Sequence, residues 1–521
     1  MKRKTITQSL SWMHTWCGLI FGWILFAIFL TGTLAVFDKE IDGWMRPEIP
    51  QSGLSQAQAV QTALGYLHAN HPGASAWNIG LPTERSPTLS VSTGEQRRGG
   101  GTALDPGTGE PLEVRETAGG GFFFRFHFTL NLPRALGIWV VGLAAMAMLA
   151  ALTSGIVIHK KFFKEFFTFR PAKGQRSWLD AHNATAVLVL PFHLMITYTG
   201  LVIFYLIYMP AASDALFDGN REALNRALRG LPAEQPASAR PGGQGGRDQA
   251  VKAQGEPAPL TSLGPVLAEA ERRMGTVSSV SIHNPGRSDA RIEVRPVLGN
   301  RIELTKGQSM VFEGVSGNVL RAPAESRPSL LTQRVMSGMH FAQFGGYPMR
   351  WLYFMCGLVS CAMIATGLVL FTVKRRRRHD AEGALGALLY HVAERLNVSV
   401  MAGLALSCVS LLWANRLLPV ELAQRGGWEV RVFFLVWLVS LGHAIARPVW
   451  RAWREQLGLA AVLCLGLPLL NAVTVSWGAY IPLETTTVVI GALLGWCCWK
   501  VGRPIEERAT RGKAVHPLEA S

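Results

Sequence analysis

Charged residues are missing from long stretches of this chain. From Thr5 to Phe37 there is no Asp, Glu, Lys or Arg. Apolar runs recur at Ala135–His159, Ala181–Ser213, Trp351–Val373, about Leu396–Val420, Val432–Ala446, Leu457–Leu483 and Thr485–Trp499. A helix of about 20 apolar residues spans the hydrocarbon core of a bilayer, so a soluble globular fold is excluded for most of the chain. The first run is too long for a cleavable signal and reads as a retained helix. Cysteine is absent from the two long polar stretches, about 38–133 and 214–349; all seven cysteines lie in or next to apolar runs. No disulfide framework is built in those stretches, and no Cys-x-x-Cys signals a zinc ribbon or thioether attachment. No Gly-x-Gly-x-x-Gly dinucleotide fingerprint occurs. Acidic residues are scarce in the apolar runs, which weighs against a transporter.

The charge that is present is basic, +16 over 521 residues. Its position argues against nucleic acid. Lys2, Arg3 and Lys4 precede the first run; Lys160, Lys161, Lys164, Lys374–Arg378, Arg447, Arg451 and Arg454 sit in short loops beside later ones. This is the positive-inside pattern. It predicts a multi-pass protein of a bacterial inner membrane with about eight spans and both termini cytoplasmic.

The expected organisation is span 1 at 8–37, a periplasmic domain at 38–133, span 2 at 134–159 and a cytoplasmic loop at 160–180. Span 3 follows at 181–210, then a second periplasmic domain at 211–346 and span 4 at 347–373. A basic linker at 374–395, four further spans within 396–500 and a tail at 501–521 complete the chain. Both periplasmic stretches read as one amphipathic helix followed by short antiparallel strands with a glycine turn. They look like a weak internal repeat, interrupted by a Gly, Pro, Ala and Gln-rich insertion at 232–259 that reads as disordered.

Thirteen histidines remain to be explained. A lone histidine in a span commonly just bonds a neighbouring helix. Here they fall in pairs. His14 and His182 lie near the cytoplasmic ends of spans 1 and 3, and His127 and His340 just outside the periplasmic ends of spans 2 and 4. A b-type haem is held by two imidazoles on facing helices, so two pairs at two depths predict two b haems forming an electron path. His159 and His193 are alternates, and His443 reads as structural. Gly18, Gly137, Gly200, Gly345 and Gly346, following histidines along the chain, are expected to admit a macrocycle. Arg134 and Arg350, two to three helical turns after His127 and His340, suit haem propionates through the guanidinium fork.

Several motifs together resemble the PepSY-associated transmembrane family, whose members include haem-containing ferric-siderophore reductases. They are Ser11-Trp-Met-His-Thr-Trp-Cys-Gly18 leading to Leu30-Thr-Gly-Thr33, Phe126-His127, Thr153-Ser-Gly155, Trp178-Leu-Asp-Ala-His182 leading to Thr199-Gly200, and Met339-His-Phe-Ala-Gln-Phe-Gly345 leading to Thr366-Gly367. The Asp105-Pro-Gly-Thr-Gly-Glu110 turn is similar to the end of a PepSY module. The resemblance covers about residues 8–375. It implies an α-helical polytopic membrane protein with a four-helix haem-binding core and small α+β PepSY-like domains. It also implies a ferric siderophore or other ferric chelate as substrate, with electrons from a membrane quinol or a cytoplasmic reductase. In the second stretch Glu313-Gly-Val-Ser-Gly317 replaces the Asp-Pro-x-Thr-Gly pattern, which marks that module as degenerate. The competing readings are a haem-free membrane protein that binds a protein partner, and a transporter.

Overall fold

The computed structural model describes residues 5–50, 54–94, 101–159, 170, 174–220, 223–224, 255–305, 307–323, 325–376, 379–475 and 480–514. Most of the 160–180 loop and of the 232–259 insertion lies outside these residues. Two compact units emerge: Met1–Met45, Arg115–Tyr198 and Leu352–Ser521 form the first, and Arg46–Val114 with Thr199–Trp351 the second.

The first unit is helical. α1 (Ile6–Ala35) starts at a Thr5 capping box, in which Thr5 and Gln8 satisfy each other's backbone amides. The short α4 (Gly121–Thr129) packs against its far end, and α2 (Asp38–Met45) packs on α4. α5 (Arg134–Ile158), the bent pair α6 (Gln175–Leu188) and α7 (Leu190–Ile203), and α10 (Gly346–Arg375) supply the other membrane-length segments of this part. α11 (Gly383–Leu417), α12 (Arg425–Ala446), α13 (Val449–Thr474) and α14 (Ile481–Ala514) follow. Among the described residues seven helices are long and apolar enough to cross a membrane, and the pair α6–α7, bent by 66°, makes an eighth. Their outward faces carry exposed Leu136, Trp139, Leu143, Leu435, Leu438 and Val462, as hydrocarbon contact requires. The protein is therefore built as a multi-pass membrane protein.

Several expected span edges move, and the linker expected at 374–395 is helical from Gly383, where α11 begins. Span 3 breaks at Val189, next to Pro191, which has no amide to donate. α12 begins at Arg425 rather than Val432, and α13 at Val449 rather than Leu457. Charged residues extend these helices inward from where an apolar run would start. Arg425 and Glu429 are tolerated because they are fully buried as an ion pair. α11 turns π-helical at Val398–Gly403. Just before that stretch, Asn397 accepts from Trp23 Nε1 of α1 at 2.9 Å and donates to the Leu368 carbonyl of α10 at 3.3 Å.

The second unit is α+β. α3 (Gln56–Asn70), capped by Ser55 and Gln58, precedes β1 (Ala76–Gly80), β2 (Leu89–Thr93) and β3 (Thr102–Leu104). α8 (Leu263–Met274) precedes β4 (Val277–His283), β5 (Arg291–Pro296), β6 (Met310–Glu313) and β7 (Val319–Arg321). The two polar stretches do not form separate sheets. β1 pairs antiparallel with β4, Ile79 opposite Val280, and one seven-stranded sheet results in the order β3-β2-β1-β4-β5-β6-β7. Sharing one sheet lets two small motifs pool a single core, Val60, Ala63 and Leu67 from α3 meeting Val266, Leu267 and Ala270 from α8 over Trp77, Ile282 and Ile292.

The hairpin turn is kept in both halves. Asp105 N donates to Glu110 O and Gly109 N to Asp105 O; Glu313 N donates to Asn318 O and Gly317 N to Glu313 O. Gly109 and Gly317 both take positive φ, 77° and 76°, which glycine alone adopts freely. The altered residues at Glu313–Gly317 thus leave the turn geometry unchanged. The unit also holds α9 (Pro328–Phe341), whose Arg334 carbonyl accepts from the Leu304 amide at 3.0 Å.

Trp77 is 1% exposed in this shared core. Trp77→Ala is expected to cost about 3–5 kcal/mol, read as faster amide hydrogen exchange across β1 and β4. Unchanged exchange would show that the two halves do not depend on a common core.

Candidate histidine site

Each of four histidines lies against a glycine that belongs to a different helix. A Cβ on Gly155 of α5 would sit 3.2 Å from His14 Cε1, and one on Gly367 of α10 would sit 2.9 Å from His182 Cε1. A Cβ on Gly32 of α1 would sit 2.5 Å from His127 Nδ1, and one on Gly200 of α7 would sit 2.9 Å from His340 Cε1. Any other residue there forces the ring to move. The contact is local in sequence terms too, since each glycine follows a hydroxyl residue: Thr31, Ser154, Thr199 and Thr366.

Three of these rings bond the carbonyl one turn before the glycine. His14 Nδ1 lies 2.8 Å from Ala151 O, His182 Nδ1 2.8 Å from Met363 O, and His127 Nδ1 2.8 Å from Ile28 O. A carbonyl only accepts, so in each case Nδ1 carries a proton, and in the neutral ring Nε2 keeps the lone pair. His340 Nδ1 lies 3.1 Å from Thr199 Oγ1. A metal-binding imidazole is held in this way, one nitrogen fixed by a backbone or hydroxyl partner and the other offered to the metal.

The structure brings His14 and His182 together. Their ring centroids are 6.2 Å apart and their planes cross at 71°. Two imidazoles bound through nitrogen on opposite faces of one iron, at about 2 Å each, have centroids about 6 Å apart. His127 belongs to the first unit and His340 to the second. The Gly32 contact with His127 lies 18 residues beyond His14 on α1, about 27 Å at 1.5 Å per residue. The two histidine sites that α1 serves are therefore separated by about the thickness of a hydrocarbon core.

The chemistry of the donor set is selective. Among the described residues no group of three or more His, Cys, Asp or Glu could hold a metal ion. Two imidazoles are too few for a bare ion and would suit an iron already held by a macrocycle.

Other expected contributors fall elsewhere. His159 caps α5 and its Nε2 lies 3.3 Å from Asn183 Nδ2, beside His182 rather than His14. His193 is fully buried on α7. His443 pairs with Glu455 at 2.8 Å. Arg134 is not two helical turns from His127, because Leu130 and Asn131 at φ 52° and 58° end α4 and α5 starts at Arg134 itself. Its guanidinium lies over Phe128. Arg350 is likewise on a different helix from His340; it is buried and donates to Gln343 O at 3.1 Å. Of the glycines expected to admit a macrocycle, only Gly200 meets a histidine. Gly18 has nothing within 4 Å, Gly137 packs on the Thr129 backbone, and Gly345 and Gly346 make the turn between α9 and α10.

A model of the PepSY-associated TM region matches residues 11–374. The chain belongs to that family. All four histidines and all four glycines lie within the matched span. A similar protein is an uncharacterized one from Pseudomonas aeruginosa, 24% identical over 402 residues, covering 72% of this chain and 94% of the relative. Membership in the PepSY-associated family thus covers the two units through α10 and stops before α11.

Burial lowers the His127 pKa below its ordinary value, and the Ile28 carbonyl opposes this only in part. The folded chain therefore binds the His127 proton less readily than the unfolded chain does, so this residue's contribution is complete above pH 6.5 and is lost as pH falls through the lowered value. Measured thermal midpoints should fall more steeply below pH 6.5 in the parent than in His127→Asn, which keeps a donor for Ile28 O but does not titrate. Parallel curves would remove His127 from the acid response.

Proposed function

We propose that this PepSY-associated protein is a di-haem electron carrier of a bacterial inner membrane that reduces ferric siderophores or other ferric chelates in the periplasm. The observation that supports this best is the His14–His182 pair, two imidazoles with ring centroids 6.2 Å apart, each with Nδ1 held by a carbonyl of an adjacent helix. His14 and His182 would hold the inner haem, and His127 and His340 are the ligands expected for an outer one. His159 and His193 are the alternates. When bound, each haem carries one electron at a time.

The chain's own residues do the rest. The carbonyls of Ala151, Met363 and Ile28 fix ring direction, which would raise the basicity of the other ring nitrogen toward a metal. Gly155, Gly367, Gly32 and Gly200 let each ring seat against its neighbour helix. Arg134 and Arg350 are the candidate partners for propionates. The electron donor is a quinol or a cytoplasmic reductase. One quinol gives two electrons and two protons and becomes quinone, and two ferric chelates each take one electron. The ferrous product is released because hard oxygen donors prefer the trivalent ion.

A reduced-minus-oxidised spectrum with pyridine haemochrome is expected to show about two b haems per chain. His14→Ala or His182→Ala should halve that number, and Gly367→Leu should weaken the inner site about 10–100-fold, as loss of ligand support does. Added ferric chelate should reoxidise the dithionite-reduced protein. A colourless protein from haem-replete cells would overturn the reading; haem that never reoxidises on ferric chelate would overturn the substrate.

A further inference from the structure

The helices beyond the family match carry charge where none is expected. Arg425 and Glu429 on α12 are both completely buried, with Arg425 Nη1 2.6 Å from Glu429 Oε1. Asn415 Nδ2 of α11 donates to the same oxygen at 2.8 Å. The other oxygen, Oε2, accepts from the Thr117 hydroxyl at 2.7 Å and from the Ala118 amide at 2.8 Å. Arg425 also donates to the Glu116 carbonyl at 3.1 Å. Glu429 thus has all its near-plane acceptor capacity filled, half of it by one short backbone segment.

That segment leads directly into α4. It is packed without slack: a Cβ on Gly426 would come within 2.8 Å of the Thr117 backbone, and one on Gly120 would strike the Asp38 carbonyl. Along α4, Phe122 and Phe126 meet Phe433 of α12 edge to face, with centroids 4.9 and 5.7 Å apart. His127 is the residue after Phe126. An apolar contact alone would let α4 slide, because packing is non-directional. A buried carboxylate with two donors on the segment fixes its position, at the desolvation cost such a pair carries.

We propose that Glu429 is a positioning residue for the outer haem site, acting through residues 117–120 and α4 on the His127 ring. The proposal rests on the haem reading above and extends it to the region past α10: these helices form a brace for the outer site. Glu429→Gln replaces an acceptor by an NH2 that cannot accept. Thr117→Val removes one donor to Glu429, together with the acceptor of Gly119 N and Asn415 Nδ2, and leaves the Arg425–Glu429 pair whole, so it decides the matter if Glu429→Gln does not fold.

In the full chain loaded with haem, both variants are expected to shift the reduction equilibrium of one haem about tenfold, 59 mV for one electron. The EPR g values of that haem should change as well. The affected haem should be the one that His127→Ala removes, and the other should keep its potential. Thr117→Ser should restore the parent signature. Equal shifts at both haems, or none in Thr117→Val, would overturn the proposal. If the protein binds no haem, the haem reading has failed on its own, and positioning is decided by amide hydrogen exchange over Gly121–Thr129: faster exchange in Thr117→Val upholds the brace, and unchanged exchange refutes it.

Discussion

A histidine ring can reach the backbone carbonyl of a neighbouring helix only where that helix presents no side chain. The core of this protein depends on meeting that condition. At His14, His182 and His127 the ring lies over a glycine and bonds the carbonyl four residues earlier, and at His340 the glycine contact is kept with a threonine hydroxyl as partner. Helical carbonyls are already bonded within their own helix, but each has a second lone pair. The ring uses that lone pair, so the contact does not open the helix. The result is an imidazole with Nδ1 protonated and the ring held in one direction.

The surrounding structure can be read as support for those contacts. α9, which carries His340, is held within the α+β unit: Leu304 bonds Arg334, Arg85 donates to Gln343 Oε1, and Gly338 closes on Ile302. α4, which carries His127, is held by α2, α5 and α12. Both helices are short, and short helices are marginal alone. Each therefore takes its position from what it packs against. Midway along α1, Asn397 joins Trp23 to Leu368, the residue after Gly367.

Much of this was legible in the sequence. Span number followed from segment length, because a bilayer tolerates only closed backbone hydrogen bonding over its full thickness. The histidines stood out because ionisable groups at membrane depth are costly. What misled was distance along the chain. Gly18 shares a helix with His14 yet touches nothing, whereas Gly155, 141 residues away in sequence, is the glycine that matters. Spacing from His127 to Arg134 suggested two helical turns, but two residues at positive φ end α4 between them. The edges of α12 and α13 were misplaced for a similar reason: Arg425, Glu429 and Glu455 read as boundaries until their partners were seen.

The sequence by itself determined the solvent of each segment and the kind of ligand its polar residues can offer. Apolar length, basic loops and hydroxyl–glycine dipeptides are local properties, and local properties survive in a linear string. Only the tertiary structure decided which glycine faces which histidine, that two polar stretches share one sheet through β1 and β4, and that a buried carboxylate on α12 grips the entry to α4. Those are contacts between residues up to several hundred positions apart. Their geometry depends on helix packing and strand register, and neither is written in any one segment.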